Sequence, residues 1–278
     1  MIGSLQTGVS GLQQFQEDLQ VIGNNIANVN TVGYKSATMD FEDQLSQSLA
    51  NGSGNAMQIG EGVGTAAIGS DFSQGTINSS GTQTDLAING DGFFLVKDTS
   101  SGLTYATRDG EFNLDGNGYL VNANGDRVQG SIGASTTPTD LQINSATAIA
   151  ALNDTTTPAP TLQSYTINSS GQITAKLSDG TSGVIGQFVL QNFTNPQALV
   201  KQGGNLYSYD ATAGALATPG TPNSAGLGQI QSGALESSNV DLATQMAGLI
   251  TAQRAFEANA KMITTSDEVL QDLVNLKR

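Results

Sequence analysis

The chain has 278 residues, 24 acidic side chains against 10 basic ones for a formal net charge of −14, and no histidine, cysteine or tryptophan. Those absences exclude a Ser-His-Asp relay, a Cys-His nucleophile, thiolate or imidazole metal sites and any disulfide framework, since each needs a residue the chain lacks. Charged residues make up 12% of the chain, about half the usual share of roughly 25%, and the scattered cations form no basic face of the kind that binds nucleic acid.

In chain order, residues 1 to 30 read as a helix. Leu5, Val9, Leu12, Gln16, Leu19, Gly23 and Ile26 follow alternating steps of four and three, the seam of a coiled coil, while Phe15, Ile22 and Val29 make a second stripe at heptad spacing. Two stripes imply two neighbours. No Lys or Arg precedes Lys35, and no apolar run has the length of a signal peptide or membrane span, so the expectation is neither a cleaved signal nor membrane insertion. A Ser, Thr, Asn and Gln surface typical of extracytoplasmic proteins, without such a signal, means that the chain either stays inside the cell or leaves by a dedicated export route. The helix is expected to stop at Asn28-Val29-Asn30-Thr31-Val32-Gly33, where short polar side chains precede a glycine able to take positive φ.

Residues 51–64 are Gly-rich and read as a loop. Within it, Gly62-Val-Gly64-Thr-Ala-Ala67 satisfies the letters of a dinucleotide fingerprint, but no buried strand precedes it and no helix opens after it, so a flexible loop or strand edge is expected instead. From Asp85 to Lys97 two apolar runs flank an Asn89-Gly90 turn, and residues 104–130 set Asp109-Gly110, Asp115-Gly116, Asn117-Gly118 and Asn124-Gly125 between alternating Tyr, Phe, Leu and Val. Both patterns predict hairpins. The run Asn113-Leu-Asp115-Gly-Asn117-Gly118 has the alternating oxygens of a calcium loop, but its twelfth position is Asn124 where a bidentate acid is needed, so a hairpin turn is expected.

Residues 131–161 form a Thr, Ala, Ser and Pro stretch of low complexity, strand signals resume over 165–167, 172–177 and 184–190, and a Pro and Gly loop covers 211–228. A last helix is predicted from the capping cluster Ser237-Ser238-Asn239, with Asp241 in its first turn, to Leu276. Its seam is Leu242, Met246, Leu249, Gln253, Phe256, Ala260, Ile263, Asp267, Leu270 and Val274, broadened by Ile250, Val269, Leu273 and Leu276. At 1.5 Å per residue it runs roughly 55 Å, more than a compact domain needs. The carboxylate pairs Glu42-Asp43 and Asp267-Glu268 fall on expected helix surfaces, and Asp109 with Glu111 in a hairpin. No third polar group joins any of them, so no enzyme and no cofactor is expected.

The fold class expected is α+β: long N- and C-terminal helices forming a coiled-coil layer, residues 1–35 and 237–278, around a central all-β domain, residues 36–236.

The segment Ile22-Gly-Asn-Asn-Ile-Ala-Asn-Val-Asn-Thr-Val-Gly-Tyr-Lys35 resembles the N-terminal signature of bacterial flagellar rod and hook proteins. The resemblance continues through Asp91-Gly-Phe-Phe94, Tyr105-Ala-Thr-Arg-Asp-Gly-Glu-Phe112, Gly118-Tyr-Leu-Val121 and Gly204-Asn-Leu-Tyr207. It returns at Leu235-Glu-Ser-Ser-Asn-Val-Asp-Leu242 and Ala252-Gln-Arg-Ala-Phe-Glu-Ala-Asn-Ala-Lys261, in the family's order over nearly the whole chain.

The resemblance implies a structural subunit of a hollow axial tube, with paired terminal helices inside and a β-rich domain outside. It implies export through the flagellum's own type III apparatus, and as partners further copies of the chain, rod proteins, the hook cap and the hook–filament junction. Assembly is then expected to rest on the seam residues Leu5, Val9, Leu12, Leu19, Ile26, Leu242, Met246, Leu249, Phe256, Ile263 and Leu270. Asn24, Asn25, Asn28, Gly33, Tyr34 and Lys35 are expected to form the joint between helix and outer domain.

Asn24-Asn25-Ile26-Ala27-Asn28 and Asp71-Phe-Ser-Gln-Gly-Thr76 look most like the hook protein, which is the favoured expectation. Phe41-Glu-Asp-Gln-Leu45 and the short span between Gly130 and Val184, which leaves room for at most a small outer domain where typical hooks insert a further β-domain, resemble the distal rod protein as the alternative. A secreted coiled-coil adhesin is the rival outside the family, against which stand seams at both ends of one chain.

Overall fold

The structure, a computed structural model, describes residues 2–44, 46–49, 57–132, 138–152, 160–209, 213–214, 219–224 and 226–276. Helix α1 (Ile2–Ala27) leads into strands β1 (Ala37–Asp43), β2 (Ser46–Leu49), β3 (Met57–Gly60), β4 (Val63–Ser70), β5 (Ile77–Ser79), β6 (Leu86–Asn89), β7 (Phe93–Lys97) and β8 (Thr104–Thr107). Short strands β9 (Asn113–Leu114), β10 (Leu120–Val121), β11 (Arg127–Ser131) and β12 (Thr139–Asp140) precede helix α2 (Ser145–Leu152). Then come β13 (Leu162–Ile167), β14 (Gln172–Leu177), β15 (Ser182–Phe188), β16 (Leu190–Gln191), β17 (Val200–Gly203), β18 (Leu206–Ser208), β19 (Gln229–Ser232) and β20 (Ala234–Glu236), and finally α3 (Leu242–Leu276). The chain is thus mixed helix and sheet, with a helix at each end and a central β region.

Two compact units emerge. The first gathers Met1–Val29, Lys35–Asp71 and Val240–Arg278, the second Asn30–Tyr34 and Phe72–Asn239. Residues 35–71 therefore belong with the terminal helices, where the sequence reading set 36–71 in the outer domain. The reason is packing on α1: Phe15 and Phe41 rings meet at 5.7 Å, and Thr65 Oγ1 donates to Glu17 Oε2 at 2.9 Å.

In the first unit, α1 and α3 run antiparallel. A Cβ on Gly8 would meet Ile263 at 3.1 Å and one on Gly11 would meet Asn259 at 2.8 Å, while Gly248 faces Ile22 and Asn25 Nδ2 reaches Gln245 Oε1 at 3.2 Å. Small residues at Gly8, Gly11, Gly248 and Ala252 bring the backbones close. By this register the residues from Val269 onward extend past the first described turn of α1. The strands β1 and β4 pair antiparallel from Ala37↔Ser70 to Asp43↔Val63, and β2 with β3 continues from Ser46↔Gly60 to Leu49↔Met57, a long two-stranded arm. Residues 57–60 and 63–64 are therefore strand where the sequence reading has loop; 51–56 lie outside the described residues. Gly62, at φ 129°, turns the chain against Ser10, and a strand follows it, as the strand-edge reading of the Gly62-Val-Gly64 stretch expects.

In the second unit the main sheet runs β13-β14-β15-β11-β7-β8-β18-β17, every pair antiparallel. Strand β7 is buried on both faces, since successive side chains alternate sides: Phe94 joins the larger core with Leu86, Ile88, Phe112, Leu120, Phe188 and Leu190, while Phe93 joins Phe193, Tyr207 and Leu199.

The turns at Asp115–Gly118 and Asn122–Gly125 close the pairs β9–β10 and β10–β11. Asp115 Oδ1 accepts the amides of Asn117 and Tyr119 at 2.9 and 2.7 Å, so its oxygens serve the turn. The hairpin expected across Asn89-Gly90 does not form. Gly90 and Gly92 both take positive φ and redirect the chain, so that β6 pairs with β19 while β7 pairs with β8, β11 and β16. Nor is Asp109-Gly110 a hairpin turn; Gly110 lets its loop press against the Leu86 backbone, whose amide donates to Gly110 O at 3.0 Å. The low-complexity stretch contains β12 and α2, which packs on β14 and β15, while 133–137 and 153–159 lie outside the described residues.

Candidate assembly interface

The expected seam residues divide into two sets. Leu249, Phe256, Ile263 and Leu270 are half-buried, and with Gln245, Ala252, Asn259 and Ser266 they form a four-three series of their own on α3. Leu5, Leu12, Leu19 and Ile26 on α1 are likewise half-buried. Contacts such as Ile263 on Gly8 and Gln245 on Asn25 put this series against α1 of the same chain. Val9, Leu242 and Met246 instead stay exposed, at 44, 44 and 49%.

Other exposed apolar side chains extend this second set. Met246 and Ile250 continue from Leu242 along one flank of the helix pair, in the first turns of α3. Met262, Val269 and Leu276 lie along the opposite flank towards its end, while Leu273, which continues the inward series past the first described turn of α1, and Val274 are exposed beside them. Covering the exposed half of one such side chain stabilises by roughly 1 kcal/mol, so each flank offers a few kcal/mol to a neighbour. Phe15 and Ile22, the expected second stripe, face β1 and Gly248 within the chain.

The start of α3 is set by Asp241, whose Oδ1 accepts the Ala243 amide at 2.9 Å and whose Oδ2 accepts the Thr244 hydroxyl at 3.1 Å. These bonds hold its carboxyl below the ordinary value. The helix begins at Leu242, three residues past the end of the Ser237-Ser238-Asn239 cluster, because that cluster bonds elsewhere: Asn239 Nδ2 donates to Ser73 Oγ at 3.0 Å and Ser237 N to Thr76 O at 2.8 Å.

The residues expected at the joint fall into both units. Asn24, Asn25, Asn28 and Lys35 belong to the first, Gly33 and Tyr34 to the second. Asn25 is 1% exposed; its Nδ2 donates to Ala37 O at 2.7 Å and its Oδ1 accepts Ala37 N at 2.9 Å, so one side chain fastens the start of β1 to α1. Asn28 Nδ2 donates to Asn24 O at 2.9 Å beyond the helix end, and Lys35 is fully buried. In the second unit Gly33, at φ 67°, lies against the Arg108 and Asp109 backbone and donates to Glu236 O at 2.8 Å, and the Lys201 ammonium sits 5.0 Å from the Tyr34 ring centre.

Sequence reasoning missed one feature of the second unit. Arg108, buried in the Tyr105–Phe112 motif, donates to the buried Glu236 at 3.3 Å with its guanidinium 5.1 Å from the Phe93 ring centre. Burial lowers the Arg108 pKa, opposed by the Glu236 charge. A cation beside Asp-Gly in an apolar stretch was the available signal.

Of the carboxylate pairs, Glu42-Asp43 lies exposed on strand β1, not on a helix, because the alternating run Ala37–Asp43 pairs with β4. Asp267-Glu268 is exposed on α3. Asp109 accepts the Glu111 amide at 3.0 Å, and burial raises its carboxyl. Among the described residues no group of three or more acidic, His or Cys side chains could hold a metal ion, and no helix is long and apolar enough to cross a membrane.

Three stretches match known families. Residues 5–35 match "Flagella basal body rod protein", 87–175 "Flagellar hook protein FlgE/F/G D1 domain", and 231–276 "Flagellar basal body rod FlgEFG protein C-terminal". The flagellar basal-body rod protein FlgG of Bacillus subtilis is 40% identical over 100% of both chains, and that of Agrobacterium fabrum 35% identical over 96% of both. The flagellar hook protein FlgE of Borreliella burgdorferi is 27% identical over 100% of both chains, but across 444 aligned positions, against 287 for the B. subtilis protein.

Proposed function

We propose, from the premise that this chain belongs to the flagellar basal-body rod and hook family and is a structural protein, not an enzyme, that it is the distal rod subunit. The single observation that carries this reading is the end-to-end 40% identity with a rod protein, reached with few gaps, against 27% with a hook protein that needs far more aligned positions. This reverses the preference for hook drawn from short motifs. The span between β11 and β15 supports the reversal: β12, β13 and β14 are strands of the same sheet and α2 packs on it, with no separate domain among the described residues.

On this reading the subunit polymerises with its own kind into a rigid, hollow shaft and abuts other axial proteins at its ends: rod, hook, and indirectly the hook cap and hook–filament junction. It reaches that place outside the cytoplasm through the flagellar type III apparatus without a cleaved signal, and is not inserted in a membrane. The terminal helices form the inner, coiled-coil layer. The half-buried seam Leu5, Leu12, Leu19, Ile26, Leu249, Phe256, Ile263 and Leu270 holds the helix pair, and Val9, Leu242 and Met246, with the flanks beyond them, meet neighbouring copies. What supports this is the set of apolar side chains exposed on two opposite flanks, since subunits joined head-to-tail without closure need two non-identical faces.

The test is where the protein sits in its own bacterium. Gold label against an internal tag, viewed on isolated hook–basal bodies, should mark the straight shaft below the hook. Label distributed along the curved hook would restore the hook assignment, and label on neither would remove both.

A further inference from the structure

The second unit has its first and last segments knitted together. Strand β5 pairs only with β20, and β6 only with β19, among the described residues. The partners are distant in sequence: Gly75 N donates to Glu236 Oε1 at 2.9 Å across 161 residues, and Arg108 to Glu236 across 128. Backbone bonds follow the same seam, from Gly233 N to Asp85 O at 2.8 Å and Gly228 N to Asp91 O at 2.7 Å. Ile230, 2% exposed, fills the main core from this segment.

The ion pair tightens the dependence. Arg108 is 4% exposed, and its Nε has no partner among the described residues, so Glu236 is what balances a cation taken out of water. Without Glu236 in place, burying Arg108 is strongly unfavourable. By contrast, β13, β14 and β15 pair with their neighbours in sequence and need nothing from the chain's end among themselves.

We propose that Gln229–Glu236 is a closing clasp: the second unit stays open, with β5 and β6 unpaired and Arg108 solvated, until this segment arrives. A chain emerging N-terminus first then remains unclosed for most of its length and locks in one late step. Loop-closure entropy over these separations favours that order, because the local β13–β15 meander forms at far smaller entropic cost. The inference concerns the single chain and does not depend on the reading of the polymer.

Pulse-labelled hydrogen exchange during refolding of the full chain, read by mass spectrometry, tests it. Amides of Gln172–Leu177 should be protected first, and those of Ile77–Ser79, Leu86–Asn89 and Gln229–Glu236 together in a phase at least about tenfold slower. Glu236→Gln should slow the late phase alone. The double change Arg108→Met with Glu236→Gln should restore its rate, since no charge is then buried unpaired and a side-chain oxygen is still there to accept from Gly75 N. Protection of Leu86–Asn89 together with Gln172–Leu177, or equal slowing of both phases by Glu236→Gln, would overturn the clasp. If Glu236→Gln does not fold, the wild-type phases and the double variant decide it.

Discussion

Asn25 does with a side chain what a neighbouring strand does with its backbone, giving and accepting one hydrogen bond each with Ala37. Deleting it strands two backbone groups at the base of the arm, each costing about 1–3 kcal/mol if left unpaired. Asn25→Ala should therefore destabilise the first unit by about 2–3 kcal/mol, measured as a shift in urea midpoint at unchanged slope. Asn25→Asp, which keeps the size but loses the donor, should behave similarly. An unaffected midpoint in both would mean that water replaces the clamp. The run Asn24–Lys35 was visible in the sequence as a helix end, but its bonds were not: Asn25 meets Gln245 across 220 residues, a separation no local pattern records.

Both terminal helices were legible at the level of elements, because apolar spacing at 3.5–3.6 residues survives over many turns. Which side of each faced inward was not legible. The four-three series chosen from the sequence shares Leu249, Phe256, Ile263 and Leu270 with the series that packs on α1, but the other half of the true series is Gln245, Ala252, Asn259 and Ser266, small or polar residues that a hydrophobicity pattern passes over. They fit because glycines in α1 bring the helices close. The β6–β7 hairpin failed for the opposite reason: Asn89-Gly90 is a strong local signal overridden by partners far along the chain.

This division changes what mutations should do. Ile263→Asp strikes the pair within one chain and should lower helix content of the free subunit as well as assembly. Val269→Asp, on the exposed flank, should leave circular dichroism unchanged and raise the critical concentration for polymerisation at least about tenfold, the factor for roughly 1.4 kcal/mol lost at a contact. Normal assembly of the Val269→Asp variant, followed by sedimentation, would remove that flank from the interface.

The start of α3 also has a pH signature. The Asp241 carboxyl titrates below its ordinary value, so its support for the helix is full above about pH 4 and fades as pH falls through the lowered folded-state value. Exchange protection at Ala243 and Thr244 should therefore drop on acidification in the wild type. In Asp241→Asn this acid-dependent step should disappear, and its persistence would place the titrating group elsewhere.

At the scale of the whole molecule, every copy carries a net charge of −14, so copies repel until salt or packing intervenes. With a screening length near 10 Å at 0.1 M, raising sodium chloride from about 0.02 to about 0.2 M should lower the critical concentration several-fold in a sedimentation assay. A rise instead would show that attraction between opposite charges, not apolar cover, dominates the contact.

The pairing of β11 with β15 has a further meaning for how such a chain can grow. Ser131 stands opposite Gln187 and Gly130 opposite Phe188, so the two ends of everything between them meet at one rung of the sheet. New sequence spliced into that interval begins and ends at nearly the same point in space, leaving the strands on either side unstretched. A subunit lengthened there by a whole domain keeps its core, its helices and its clasp as they are.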